Sequence, residues 1–202
     1  MDIYVDARFS FYRGGITNLK PSNDLNVLGV YNYLISGAAL SLTNKIRNTP
    51  VKRERAVLKR RLDYITPCGT FYFRSSHALK SVSGLMVLDF DDCVNPQDVA
   101  AKLPFIPLLS YISPSGAGLK VIIDGREWIQ QQGFNRFNED LTEDFRDARY
   151  LFEVVKAYKL GFQQMAKYVS NIAPLDWSGA DITRACYLCY ASDAQINNQS
   201  AE

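Results

Sequence analysis

Leu85-Met86-Val87-Leu88-Asp89-Phe90-Asp91-Asp92 is the stretch on which the reading of this chain turns. An apolar run of strand length ends in three carboxylates within four residues. Alternate residues of a strand share a face, so Asp89 and Asp91 project the same way, with Cα atoms roughly 6.5–7 Å apart. That spacing suits a divalent cation. Carboxylates at the end of a buried run are costly to desolvate unless a metal, a basic group or water satisfies them. The bland alternative is a solvated strand end or turn.

The flanking sequence sets this strand among others. Thr70 to Arg74, Gly84 to Phe90, Ile106 to Ile112 and Leu119 to Asp124 read as strands, and Pro96 to Leu103 as a short helix between the second and third of them. Ser113-Pro114-Ser115-Gly116-Ala117-Gly118 reads as a hairpin turn. Residues 125–146 are polar and weakly patterned, an insertion before a long helix over Ala148 to Ser170, and Arg184 to Ala191 returns as a last strand. Toward the N-terminus, Ile3 to Tyr12 reads as an edge strand ending at Gly14-Gly15. Asn23-Asp24 then caps a helix through Leu25, Leu28, Tyr31 and Leu34, and Leu40 to Ile46 continues it before Pro50. Val51 to Leu62 makes a third helix with Val57, Leu58 and Leu62 inward. Strands interleaved with helices and one hairpin predict an α+β or mixed α/β fold. One unit over 1–193 is expected, basic and helical over 1–80, acidic and β-rich over 81–193. A flexible tail follows over 194–202.

The net charge of +2 over 202 residues conceals a polarity. Residues 1–80 hold 13 Lys and Arg against 5 Asp and Glu, net +8, and residues 81–202 hold 10 against 16, net −6. The excess centres on Lys45, Arg47, Lys52, Arg53, Arg55, Lys59, Arg60 and Arg61, opposed only by Glu54. A basic helix beside an acidic site is the balance expected where a polyanion is held and a metal works on it; a solvated helix face gives the same composition. No run approaches the roughly 18 apolar residues of a membrane span, and Met1-Asp2-Ile3-Tyr4 lacks a signal-peptide pattern, so a cytoplasmic protein is expected. Four cysteines fit that compartment as free thiols.

Further constellations accompany the acidic strand. A third carboxylate is wanted for one or two Mg²⁺ or Mn²⁺ ions, and the candidates are Asp176 and Asp181. Ser115, Gly116 and Gly118 can direct backbone N–H groups at a phosphate that Lys120 neutralises, although a Gly-x-Gly turn is more often only a turn. Arg184 can grip a triphosphate or pair with Asp181. Cys186-x-x-Cys189 reads as core packing, because a three-residue separation on a strand puts the thiols on opposite faces. His77, the only histidine, excludes multi-histidine metal sites and reads as a loop residue.

Taken in order, Thr66-Pro67-Cys68-Gly69-Thr70-Phe71...Arg74, Ser83 to Asp91, Ser113 to Val121 and Asp181 to Tyr187 resemble the VirE-type N-terminal domain, a family considered related to archaeo-eukaryotic primase-polymerases. The similarity runs from about Asp24 to Asp193. It implies an RRM-like sheet packed with helices and a smaller N-terminal αβ module, with the site in the cleft between them. By that resemblance Asp89 and Asp91 hold catalytic Mg²⁺ or Mn²⁺, and Asp176 or Asp181 completes the acidic set. Ser115, Gly116, Gly118, Lys120 and Arg184 hold nucleotide phosphates by the same resemblance, and with the charge split Lys52, Arg53, Arg55, Lys59, Arg60, Arg61 and Arg74 are expected to hold nucleic acid. Lys120 stands where such polymerases usually carry a histidine, and it cannot act as a neutral imidazole.

The expected activity is therefore two-metal nucleotidyl transfer in a mobile element or replication system. Its partners would be single-stranded DNA or RNA, nucleoside triphosphates and a helicase or other replication protein. A catalytically idle single-strand-binding module is the alternative. An apolar strand ending in Asp-x-Asp also opens haloacid-dehalogenase-like phosphatases, but Asp92-Cys93 replaces their Gly-Thr/Ser and the strand lies mid-chain.

Overall fold

The computed structural model describes residues 6–197. Its elements run β1 (Phe9–Tyr12), β2 (Asn23–Leu25), α1 (Val27–Ile35), α2 (Leu40–Asn48), α3 (Lys52–Lys59), β3 (Tyr64–Thr66), β4 (Gly69–Phe71), β5 (Leu79–Val82), β6 (Leu85–Phe90) and α4 (Pro96–Ala101). After these come β7 (Leu109–Ile112), β8 (Leu119–Asp124), α5 (Arg126–Gln130), α6 (Ala148–Val169), β9 (Cys186–Tyr187) and β10 (Gln195–Ile196). The fold is α+β. One sheet has the order β10-β7-β8-β6, a second β2-β1-β3-β9, and β4 and β5 form a separate ribbon.

The acidic strand β6 pairs antiparallel with β8, which pairs antiparallel with β7. The unit β6-α4-β7-β8 thus places its third strand between the first two, the split arrangement of RRM-type sheets. One face of β6, through Met86, Leu88 and Phe90, joins a buried cluster with α6. That helix presents Leu151, Val154, Tyr158, Phe162, Met165 and Val169 at three- and four-residue spacing, and its N-terminus is capped by Asp147, which accepts from the Arg149 N–H at 2.9 Å. Leu85 and Val87 turn the other way, into a second cluster with Phe9, Phe11, Ile65, Cys186 and helix α1. Asp89 continues this second face, so it points between the two sheets.

The hairpin after β7 approaches β6 closely. A Cβ on Gly118 would stand 2.5 Å from the Phe90 carbonyl oxygen, and Ala117 accepts from the Cys93 N–H at 2.8 Å. The tight approach locks the Asp-rich end of β6 to the 113–118 loop. Gly118→Ala is therefore expected to cost about 1–3 kcal/mol, read as a lowered melting temperature, because backbone rather than a flexible side chain must move.

Several sequence expectations are corrected. Strand β1 is central, with β2 and β3 on its two sides and all four residues buried, because Phe9 and Phe11 face the inter-sheet core while Ser10 hydrogen-bonds under β4. Residues 3–5 of the expected first strand lie outside the described residues. Asn23 and Asp24 belong to β2, and the helix cap is Asn26, which accepts from the Gly29 N–H at 2.8 Å. The third helix stops at Lys59, short of Leu62, and leaves Val57 exposed. The 125–146 stretch contains α5. The last predicted strand shrinks to Cys186–Tyr187, because its partner β3 offers only three residues. Gln195 and Ile196, expected in a loose tail, pair with Ser110 and Leu109, and residues 198–202 of that tail lie outside the described residues.

Candidate functional site

The site grows from the register of β6 and β8. Asp89 lies opposite Lys120, and Lys120 lies opposite Tyr111 of β7. Lys120 is only 5% exposed and its ammonium is ion-paired with the Asp89 carboxylate. Burial alone would push the Lys120 pKa down, but the Asp89 charge and hydrogen bond outweigh it, so the amine is held protonated well above its ordinary range.

Beyond Phe90, the segment before the final strand runs alongside β6. The Asp91 N–H donates to the Pro174 carbonyl and the Asp176 N–H to the Asp89 carbonyl, each at 2.9 Å, with Phe90 and Leu175 forming a bridge between them. This ladder delivers Asp176 to the Asp89/Asp91 end. The Asp176 carboxylate accepts from the Ser178 N–H at 2.9 Å and from Arg184 at 2.6 Å. Burial would raise its pKa, yet those hydrogen bonds and the Arg184 and Lys120 charges hold it below the ordinary carboxylate range. Asp91 behaves oppositely. Partial desolvation and then the charges of Asp89 and Asp176 push its pKa up, and Lys120 and Lys59 offset this only in part. Asp181 lines the same cleft as Asp89 and Asp176, and one of its carboxylate oxygens accepts from the Thr183 N–H and hydroxyl at 2.8 and 2.9 Å.

Val87, Asp89, Lys120, Asp176, Asp181, Arg184 and Cys186 line a narrow cleft of about 20 Å³. Its floor is the β6–β8 pair and its far wall is the approach to β9. Gly179 lets the 177–180 turn pack onto α6, where a Cβ would meet the Phe162 ring at 2.5 Å. Tyr158 of the same helix donates to the Gly179 carbonyl.

Two cations reach this end from the helical half. Lys59 is half-buried at the end of α3 and lies within electrostatic range of Lys120, Asp89 and Asp91. Burial and the Lys120 charge push its pKa down. Arg47 of α2 lies over the hairpin, its Nε 3.7 Å from where a Gly116 Cβ would stand. Sequence reading placed Lys59 on an outward basic face and gave Arg47 no role at the acidic strand, because the convergence of α2, α3 and the hairpin is tertiary and leaves no local signal.

Other expected contacts are relocated. Arg55 donates through Nη1 to the Thr49 and Pro50 carbonyls at 2.9 and 2.8 Å, which ties its guanidinium to the turn between α2 and α3. The Gly116 N–H is taken by the Ser113 carbonyl at 2.9 Å, so it does not point at a phosphate, while Ser115 Oγ sits 3.1 Å from Ser113 Oγ. Lys52, Arg53, Arg60 and Arg61 are exposed. Arg74 lies 5.0 Å over the Tyr64 ring. All four cysteines are buried free thiols.

Among the described residues no three His, Cys, Asp or Glu side chains are placed to hold one metal ion together. The donor set nevertheless fits Mg²⁺ or Mn²⁺ in the manner of nucleotide sites, where one or two carboxylates hold an ion that keeps waters and substrate phosphates as its other ligands. Among the described residues neither carboxylate oxygen of Asp91 has a hydrogen-bond partner, and Asp89 engages only Oδ2, with Lys120.

Neither the curated proteins nor the solved structures hold a match to the chain. A family profile does match, over residues 57–196, and its description is BT4734-like, N-terminal domain. This overturns the resemblance to the VirE-type N-terminal domain and the primase-polymerase kinship that came with it. Short Asp-x-Asp, Gly-x-Gly and Asp-x-x-Arg motifs recur wherever strands carry phosphate chemistry, and their order alone does not separate families; residue roles at this site therefore rest on geometry. With well over half of its length matched, the chain belongs to the BT4734-like, N-terminal domain family.

Proposed function

We propose that the Asp-rich end of β6, beside this narrow cleft, is a metal-dependent nucleotide site that performs nucleotidyl transfer onto a nucleic-acid strand. The observation that carries this reading is the convergence of Asp89, Asp91 and Asp176 with Lys120, Lys59 and Arg184 at one sheet edge, three carboxylates faced by three cations. Asp89 and Asp91 would hold Mg²⁺ or Mn²⁺, which supplies Lewis-acid charge to the phosphates when bound. Arg184 and Lys59 are suited to the triphosphate: the first swings between Asp176 and an incoming anion, and the second is a half-buried cation with no ion pair among the described residues. In the transfer, a strand's 3′-hydroxyl oxygen bonds to the α-phosphorus, the bond to the bridging oxygen breaks, and pyrophosphate leaves. The hydroxyl proton passes to water, while Lys59 and Arg184 balance the leaving charge.

Extension of a primer on a single-stranded template with nucleoside triphosphates and Mn²⁺ tests this. Product that vanishes in Asp89→Ala and Asp91→Ala is expected. Lys120 bound to Asp89 also favours a second reading, a module that binds strands without turnover. Binding that survives EDTA and weakens steeply with salt, with no product, would select it.

A further inference from the structure

Next to the cleft, behind Arg184, lies a second, open groove of about 810 Å³, counting space open to solvent, lined by Ile16, Arg74, Thr183, Arg184 and Tyr187 among others. Its wall is aromatic in depth. Tyr12 stacks on Tyr64 with ring centroids 4.4 Å apart and planes 4° apart, and Tyr64 meets Tyr187 edge to face at 6.4 Å. Tyr187 is the member that borders the groove, and its hydroxyl has no hydrogen-bond partner among the described residues. Arg74 is held over the Tyr64 ring at 5.0 Å, and Arg60 lies close enough to Tyr187 to act on its phenol electrostatically. Neither Arg60 nor Arg74 has a carboxylate partner among the described residues. The one acidic side chain on the groove, Asp181, accepts from Thr183.

We propose that this groove, not the outward face of α3, is the track for single-stranded nucleic acid. The inference rests on the nucleotide reading of the neighbouring cleft and names its strand partner. A ring bordering a groove, flanked by unpaired guanidinium groups, matches the two demands of a single strand: a π-face for a base and fixed positive charge for successive phosphates. Arg184 borders both cavities, so a strand on Tyr187 ends within reach of the groups that face the triphosphate. None of the contacts reads a base edge, and recognition is therefore independent of sequence.

Fluorescence anisotropy of labelled 20-nucleotide dT and rU strands, at low salt in EDTA, measures the track without the metal. For Arg60→Ala/Arg74→Ala the expected affinity loss is about 10-fold or more, with a shallower salt dependence. Tyr187→Leu should lose about 10-fold as well, and Tyr187→Phe should keep binding. Arg146→Ala, the loss of one exposed charge elsewhere, should bind like the unsubstituted protein. A preference for dT or rU decides between DNA and RNA within the same track. Wild-type affinity in Arg60→Ala/Arg74→Ala, or an equal loss in Arg146→Ala, overturns the groove. If the unsubstituted protein binds neither strand yet takes up Mn²⁺ with a non-hydrolysable triphosphate, the groove fails and the metal–nucleotide site stands; if it does neither, both fail.

Discussion

Lys120→Met is expected to destabilise the protein by about 2–4 kcal/mol, or roughly 5–15 °C in melting temperature, the largest stability effect foreseen for a single side chain at the site. Removing one partner of a buried pair leaves the other charge uncompensated. Here the stranded group is Asp89, whose side chain is 24% exposed, so some water reaches it and the loss falls below that of a fully enclosed pair. Asp89→Leu/Lys120→Met, which replaces both charges by apolar groups of similar size, should regain most of the stability while losing any metal binding. That pairing separates what Lys120 does for the fold from what Asp89 does for a ligand. Thermal denaturation of the two variants beside the unsubstituted protein checks it, and a Lys120→Met protein as stable as the original would show that the pair contributes nothing.

Asp91→Asn is expected to act in the opposite sense on the two observables. Uptake of Mn²⁺ with a triphosphate should weaken by about 100-fold or more, because a direct ligand is lost rather than an outer partner. The metal-free protein should meanwhile melt slightly higher. Asp91 is pushed up by desolvation and by Asp89 and Asp176, so its ionised form is the unfavourable one in the folded state. With the folded pKa above the unfolded value, stability is gained as pH falls through it, and Asn fixes the neutral state at all pH. A gain in stability on removing a carboxylate, coupled to loss of ligand, is the signature of a site held ready for a cation. A lower melting temperature would instead make Asp91 a structural residue.

The fold was most legible where boundaries are sharp. Strand β8 runs over Leu119–Asp124 as its sequence predicts, bracketed by Gly118 and Gly125, and α6 ends within one residue of expectation because its apolar spacing is sustained over six turns. Short apolar runs misled. Val57 and Leu62 keep helical spacing with Leu58, yet the chain turns after Lys59, and the Arg60 carbonyl accepts from the Ile16 N–H instead of continuing a helix. β1 looked like an edge because nothing local announces that β2 folds back beside it. At the site, the nearness of Asp89 to Lys120 follows from strand alternation and the hairpin. The position of Asp176 beside the end of β6 was not readable, since it depends on two backbone hydrogen bonds between segments more than 80 residues apart. The inward position of Lys59 and the tethered guanidinium of Arg55 were equally hidden, four residues apart on one helix and opposite in role.

The central claim is that the Asp-rich end of β6 holds a cation and a triphosphate together. Isothermal titration of the whole chain with Mn²⁺ and a non-hydrolysable nucleoside triphosphate tests it most directly. The account predicts saturable binding that requires both components and disappears in Asp91→Asn; absence of binding in the unsubstituted protein, or binding of equal strength in Asp91→Asn, would contradict it.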